Sequence, residues 1–154
     1  MNLKQLIENY LKEAKLMQVA TVKNNKPWVA TVWYAHDKNL NFYFISQKNR
    51  RHSQELKNNS HVAGTIVISH EEGIGQKVRG IQFAGKAEIV GIQGLINAYT
   101  LLKEKYPNIV KHIPTLDLIK TNLIAVRFYK ITPTTIVLFD EVNFPDNPRQ
   151  ELKL

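Results

Sequence analysis

The stretch MQVATVKNNKPWVATVWYAHDKNLNFYFIS, residues 17–46, decides the fold. It contains three runs of six to eight residues that are rich in valine, threonine and aromatic side chains, a composition typical of β-strands. The polar segments NNKP and HDKN separate these runs and are short enough to be turns. Three successive strands joined by short turns predict an antiparallel meander.

The second of these strands is apolar on both faces. Side chains alternate between the two faces of a strand, which gives Trp28, Ala30, Val32 and Tyr34 on one face and Val29, Thr31 and Trp33 on the other. Such a strand lies between two layers, or between a barrel interior and a partner. We therefore expect a homodimer, because a lone barrel would leave Trp28, Trp33 or Tyr34 exposed as part of an apolar patch.

Helices are predicted on both sides of the meander. Residues 3–15 carry apolar side chains three and four positions apart, which indicates an amphipathic helix. The polar segment 47–59 is long enough for one or two helical turns, with Leu56 as its one apolar anchor. Residues 92–105 form the second substantial helix, and the chain then runs irregularly from 109 to 118.

Further strands follow the short middle helix. The predicted segments are HVAGTIVIS (61–69), KVRGIQFAGKAEIV (77–90), NLIAVRFYKI (122–131) and TTIVLF (134–139), the last two on either side of Thr132 and Pro133. Gly80 and Gly85 interrupt the long second segment, and glycines inside a strand mark a bulge, a bend or a close approach by another backbone or a ligand. Six or seven strands that are mostly adjacent in sequence predict a mainly β fold, a closed or nearly closed antiparallel barrel with peripheral helices.

The composition excludes several classes of protein. The 154 residues include no cysteine, which excludes a disulfide scaffold, thiol catalysis and thiolate metal sites. No apolar run approaches the ~18 residues that span a bilayer, and the first segment is too evenly charged for a secretory signal, so we expect a soluble, cytoplasmic protein with no membrane partner. The five histidines never lie three or four residues apart, so no helical pair presents two ligands to a metal. No metal site is predicted.

Chemistry-bearing residues concentrate between Ser46 and Leu56. A strand of aromatic residues ends at Ser46, and Arg51 and His52 enter a short helix whose first amides add positive potential. A hydroxyl, a guanidinium and an imidazole would together form a compact site for a phosphate dianion. The same residues fit a basic surface turn equally well, and the net charge of +8 favours anionic partners without choosing among them.

The order of these segments resembles the split-barrel flavin-binding family related to pyridoxamine 5′-phosphate oxidase, and within it a small bacterial subgroup. The resemblance covers residues 5–142 and is carried by WVATVWYAHDKNLNFYFIS, RRHSQELKNN, HVAGTIVIS, RGIQFAGKAEIVG and a helix that ends in KYP. It implies a single FMN-binding split-barrel domain over residues 1–142. The tail over residues 143–154 contains two prolines and is expected to be an extended arm. The resemblance also implies FMN as cofactor and oxidoreductase activity on an unknown small-molecule substrate.

Members of that family hold the FMN phosphate with a serine or threonine that ends the third strand and with an Arg-Lys pair in the next helix. The resemblance thus assigns eight residues: Ser46, Arg51 and His52 to the phosphate, Thr31, Val32 and Trp33 to the flanks of the flavin ring, and Arg79 and Gln82 to polar contacts with the ring. Flavin supplies the redox chemistry, so no catalytic triad or carboxylate pair is required.

The chain departs from the phosphate oxidases at three places. His52 stands where they have lysine, the second strand has Val29 and Tyr34 where theirs has basic ends, and the arm DNPRQELKL lacks their Trp- and Arg-bearing end. These departures argue against oxidation of vitamin B6.

Two other functions are compatible with the sequence. A haem-binding or haem-degrading split barrel would use one histidine to ligate iron. A cofactor-free basic module would bind nucleic acid with a steep salt dependence. We rank nucleic acid well below flavin as a partner.

Overall fold

The computed structural model describes residues 2–121 and 123–154. Met1 and Asn122, which begin the predicted domain and the predicted strand 122–131, lie outside the described residues. The elements in chain order are α1 (Leu3–Glu13), β1 (Leu16–Lys23), β2 (Lys26–His36), β3 (Phe42–Gln47), α2 (Arg51–Glu55), β4 (His61–Val67), β5 (Arg79–Ile89), α3 (Ile92–Lys105), a 3₁₀ helix (Pro107–Lys111), α4 (Leu116–Lys120), β6 (Val126–Asp140) and β7 (Arg149–Leu152).

The seven described strands form one antiparallel sheet in the order β3-β2-β1-β4-β5-β6-β7. Strand β6 also pairs with β3, from Phe42↔Ile131 to Gln47↔Val126, so six of these strands close into a barrel. The second half of β6 pairs with β7. The predicted mainly β fold, an antiparallel barrel with peripheral helices, is confirmed.

Aromatic side chains fill the barrel interior. Phe42 packs edge-to-face against Phe83 with ring centroids 4.9 Å apart, and Phe44 stacks on Tyr129 at 5.0 Å. Tyr34 is fully buried, and its hydroxyl donates a hydrogen bond to the carbonyl oxygen of Leu11 in α1 (2.8 Å). The expectation that a lone barrel would leave Tyr34 exposed is therefore wrong, because the ring packs against Phe42 in the barrel core and α1 covers its hydroxyl.

Strand β6 is continuous where two strands were predicted. Pro133 lies within it, opposite Gly85, at a break in the β5–β6 register that accommodates an extra residue. A Cβ on Gly85 would overlap the carbonyl oxygen of Thr132 and lie 2.8 Å from the Cα of Pro133. Proline is tolerated at a bulge because it has no N–H to contribute to the ladder. Gly85 thus marks a bulge and a close backbone approach, as its position in the strand predicted.

Side chains at the C-terminal end of α3 hold this helix against α1 through hydrogen bonds. Lys105 Nζ donates a hydrogen bond to the carbonyl oxygen of Leu11 (2.8 Å) and lies 3.6 Å from the ring centroid of Tyr34. Tyr106 Oη donates to the carbonyl oxygens of Lys15 and Tyr34, at 2.6 and 2.7 Å. Burial, together with the charge of Lys15, lowers the pKa of Lys105 to about 7. The KYP segment is therefore a junction between two helices and β2.

His36 ends β2 next to this junction. Burial, and then the charges of Lys105 and Lys12, lowers the pKa of His36 to about 4. Its Nδ1 atom is buried and has no hydrogen-bond partner among the described residues. His36 is therefore a neutral imidazole at pH 7.

The segment after α3 is more regular than predicted. A 3₁₀ helix over Pro107–Lys111 and helix α4 over Leu116–Lys120 replace most of the expected irregular stretch. Ile119 is buried with Phe128 in a second apolar cluster beneath α3. None of the helices in the described residues is both long and apolar enough to cross a membrane.

Candidate functional site

Helix α2 lies against β1 and β2 and buries polar side chains against the barrel. We define the barrel-end cluster as Thr21, Ser46, Arg51, His52 and Glu55. His52 is only 8% exposed, and its Nε2 lies 2.7 Å from Ser46 Oγ, within hydrogen-bond distance. Leu56 is thus one of several anchors of this helix, most of which are polar. The structure brings together Ser46 and His52, two of the three residues assigned to the phosphate.

Glu55 sets the charge of the barrel-end cluster. Its carboxylate accepts hydrogen bonds from Arg51 Nε (2.8 Å) and Thr21 Oγ1 (2.6 Å), one on each oxygen. The bonds from Arg51 and then Thr21 hold the pKa of Glu55 below its usual value. Burial, and then the charge of Arg50, lowers the pKa of His52. At neutral pH the cluster therefore contains an ionised Glu55 and a neutral His52.

Arg51 extends away from the Ser46–His52 pair. Its guanidinium carbon lies 4.4 Å from the ring centroid of Trp28, in a cation–π contact, while Nε is bound to Glu55. About half of the Arg51 side chain is exposed. It lines a cavity of about 310 Å³ together with Lys23 and Lys26. Trp28 and Glu55 were not among the predicted site residues. Glu55 lies four positions after Arg51 in α2, a spacing that could have identified the pair, whereas only the packing of α2 against β2 brings Trp28 to Arg51.

A second group of polar side chains lies on the outer sheet face, which we define as the side of β2, β1, β4 and β5 that points away from the barrel interior. Four residues stand in register across these strands: Thr31, Gln18, Thr65 and Gln82. Thr65 Oγ1 donates a hydrogen bond to Gln18 Oε1 (3.2 Å). The structure thus places two predicted residues, Thr31 and Gln82, in one row. Gln18 and Thr65 were missed because only strand register identifies them.

The remaining predicted residues lie elsewhere. Trp33 is on the outer sheet face, 54% exposed, while the adjacent Val32 points into the barrel core. Arg79 is directed toward α1, where its guanidinium carbon lies 5.4 Å from the ring centroid of Tyr10 and Nη2 lies 3.5 Å from Glu13. The structure therefore does not bring Arg79 together with Gln82, although both belong to β5.

The side chains present fit a phosphate group better than a metal ion. Ser46, His52 and Arg51 supply a hydroxyl, an imidazole and a guanidinium, which are donors to phosphate oxygens. No group of three or more histidine, aspartate or glutamate side chains converges in the part of the chain that the structure describes. The donor set is thus compatible with the phosphate of a nucleotide-like cofactor.

Comparison with known proteins assigns the chain to a family. A family model described as pyridoxamine 5′-phosphate oxidase matches residues 3–139. A UPF0306 protein of Pasteurella multocida (strain Pm70) is 24% identical over 139 residues, which make up 90% of this chain and 89% of that protein. This relative confirms the resemblance to a small bacterial subgroup.

Two solved structures share the fold. General stress protein 26 from Bacillus anthracis (strain Sterne) superposes with a TM-score of 0.69 and 18% identity over 100% of both chains. A haem-binding protein from Mycobacterium smegmatis superposes with a TM-score of 0.79 and 12% identity over 99% of this chain and 58% of that one. The family model spans the sequence from α1 almost to the end of β6, and the chain therefore belongs to the pyridoxamine 5′-phosphate oxidase family.

Proposed function

We propose that the protein is an FMN-binding oxidoreductase that holds the phosphate at the Ser46–His52 pair and the flavin ring along β2. The observation that carries this proposal is the 2.7 Å contact between Ser46 Oγ and His52 Nε2 at the end of β3. Members of the family described above use a hydroxyl residue at the end of the third strand and a basic pair in the next helix for the phosphate. Here the hydroxyl and the imidazole already touch.

Each residue has a distinct role in this proposal. Ser46 and His52 bind phosphate oxygens, and Arg51 turns from Glu55 to add positive charge when the phosphate binds. Trp33 flanks the ring, and Thr31 or Gln82 offers a hydrogen bond to its polar edge. When bound, flavin supplies hydride and electron transfer, so the protein has only to bind and orient it. Arg79 has a weaker claim to a ring contact because it is engaged with Tyr10 and Glu13.

The outer sheet face supports a homodimer. Val29, Trp33 and Val67 are each at least half exposed on it, with exposed fractions of 58%, 54% and 50%. Ala20 and Ala63 pair across β1 and β4 in the same row as Val29, and the polar row of Gln18 and Thr65 lies between this row and Trp33. A face with exposed apolar side chains on both sides of a short polar row is suited to a second copy of the chain. Sedimentation of FMN-loaded protein at micromolar concentration is expected to give a dimer, and a monodisperse monomer with FMN still bound would contradict it.

An absorbance spectrum of the purified protein tests the cofactor. FMN gives two bands, in the blue and the near ultraviolet, and anaerobic addition of NADH or NADPH tests whether the bound flavin is reduced. Arg51→Ala is expected to weaken FMN about tenfold or more and to leave riboflavin nearly unchanged, because a charge-assisted phosphate bond contributes ~1.5–3 kcal/mol. Equal losses for both ligands would show that Arg51 is not at the phosphate.

Haem is the second candidate, and one observation favours it. His112 is exposed in the wall of an apolar pocket that also contains Trp33 and Tyr106, a position from which an imidazole can bind iron. A Soret band in the same spectrum would identify haem and displace the flavin proposal.

A further inference from the structure

A pocket of about 490 Å³ lies beside Trp33, away from the barrel-end cluster. Its volume falls within the roughly 300–1,000 Å³ that is usual for small-molecule sites. The lining residues are Trp33, Ile45, Tyr106, Asn108, Ile109, His112 and Ile113. Strands β2 and β3 form one wall, and the 3₁₀ helix with the turn after it forms the other.

Tyr106 contributes its ring to this pocket and keeps its hydroxyl elsewhere. The hydroxyl is bound to the carbonyl oxygens of Lys15 and Tyr34. Burial raises the pKa of Tyr106 to about 12, so the side chain is uncharged. Its ring meets that of Trp33 edge-to-face, with centroids 5.4 Å apart and planes at 75°. Two rings and three isoleucines thus make walls that suit a planar apolar ligand.

The polar part of the lining is small. Asn108 and His112 can each donate a hydrogen bond, and neither a carboxylate nor a lysine or arginine is among the lining residues. A phosphate dianion would lose its hydration here without gaining a cation, which is costly. A single carbonyl, hydroxyl or carboxylate group could be bound by Asn108 or His112.

We propose that this pocket binds a planar, apolar ring compound with at most one negative charge, and that it rejects phosphate esters. Trp33 belongs both to this pocket and to the strand proposed to flank the flavin ring. The identification of the ring compound as a substrate therefore rests on the proposed function. The binding itself does not, and it can be measured on protein from which any flavin has been removed.

The test uses three probes that share one ring system: 2-naphthol, 2-naphthoate and 2-naphthyl phosphate. The chain has two tryptophans, Trp28 and Trp33, so ¹⁵N-tryptophan labelling gives two indole resonances, which Trp28→Phe assigns. 2-Naphthol and 2-naphthoate are expected to shift the Trp33 resonance and to leave that of Trp28 unchanged. 2-Naphthyl phosphate should bind at least tenfold more weakly than 2-naphthoate by calorimetry.

Two variants test the assigned roles. His112→Leu changes an exposed side chain and should weaken 2-naphthoate at least threefold and 2-naphthol less, because a hydrogen bond to a carboxylate contributes more than one to a neutral hydroxyl. Ile109→Asp should weaken both probes at least fivefold, because it puts a charge into the apolar wall. The circular dichroism spectrum of each variant checks that the fold is intact.

Three results of the probe experiments would overturn this proposal. They are equal affinity for the phosphate ester, a shift of Trp28 in place of Trp33, and no shift of either resonance at millimolar probe. A Soret band in the purified protein that is lost in His112→Leu would assign the pocket to haem and overturn it as well. Failure of FMN to bind, with the Trp33 shift retained, would remove only the flavin function and leave the pocket as a binding site.

Discussion

Replacing Ser46 with alanine tests the proposed phosphate site independently of the rest of the proposed flavin site. The substitution removes the hydroxyl that lies 2.7 Å from His52 Nε2 and leaves that ring nitrogen without its partner. A neutral hydrogen bond contributes ~0.5–1.5 kcal/mol, and leaving a buried group unsatisfied costs ~1–3 kcal/mol. Since His52 is almost fully buried, we expect a loss of about 1–2 kcal/mol in the free energy of unfolding. For a chain of this length, that lowers Tm by roughly 2–8 °C.

The same substitution should act selectively on cofactor binding. A hydroxyl bond to an anionic phosphate oxygen is worth ~1.5–3 kcal/mol, so Ser46→Ala is expected to weaken FMN about tenfold or more. Riboflavin has no phosphate and should change less than twofold. The matched control is Ser53→Ala in α2, the helix that carries His52, since Ser53 Oγ is buried without a partner in the described structure. Its loss should leave both affinities unchanged.

Quenching of flavin fluorescence measures both affinities, and urea denaturation with a thermal melt measures stability. Equal losses of FMN and riboflavin in Ser46→Ala would mean that the serine acts through the fold and not at the phosphate. An unchanged FMN affinity, with stability reduced as expected, would place the phosphate away from Ser46. Either result would refute the assignment.

Three further predictions concern the framework around the site. Tyr10→Phe removes the hydroxyl that donates to the buried Asp140 (2.7 Å). It should lower the free energy of unfolding by about 2 kcal/mol, or Tm by roughly 4–8 °C. The control Tyr99→Phe should change the free energy of unfolding by no more than about 0.5 kcal/mol. His36 has a pKa of about 4 in the folded state and ~6.5 in the unfolded state, so the unfolded state binds more protons between these two pH values. Stability should therefore fall as the pH drops from 6.5 to 4. In a plot of the urea midpoint against pH, His36→Gln should flatten this part of the curve. Gly85→Ser should destabilise the protein by about 1–3 kcal/mol, because the new side chain overlaps the β6 backbone. Gly91 is the N-cap of α3 and has open space around it, so Gly91→Ser should be neutral or stabilising. Thermal melts of the two variants measure this difference.

The strands that are adjacent in sequence could be predicted because their signals are local. Alternation and turn residues identify the meander of β1, β2 and β3 without any knowledge of the rest of the chain. The continuity of β6 could not be read in this way. Thr132 and Pro133 look like a break, and only the bulge opposite Gly85 allows one strand to pass through them.

The two faces of β2 could be separated by alternation, but their environments could not be assigned. Tyr34 and Trp33 are both aromatic, and only the closed fold shows that the face with Tyr34 points into the barrel core while the face with Trp33 stays exposed. For Arg79 and Gln82, the sequence alone was sufficient. They are three positions apart on β5, so the alternation of side chains predicts that they lie on opposite faces.

The residues that set the charge and hydrogen bonding of the candidate phosphate site come from distant parts of the sequence. Ser46 and His52 are close in sequence and could be paired from the motif. Glu55 and Thr21 are 34 residues apart, and their bond exists only because β1 passes beneath α2. No local pattern marks Thr21 as different from Thr31, although one is buried and the other exposed.

The arrangement around Glu55 determines how Arg51 can serve a phosphate. Thr21 holds one carboxylate oxygen of Glu55 and Arg51 holds the other, so Glu55 keeps a partner if the guanidinium turns away. The Arg51 side chain is about half exposed and has room to turn, whereas Glu55 is only 4% exposed and would then rely on its bond from Thr21. A phosphate dianion carries more charge than one carboxylate and can therefore compete with Glu55 for Arg51. The Ser46–His52 pair is therefore the preformed part of the phosphate site, and Arg51 is the part that binding recruits.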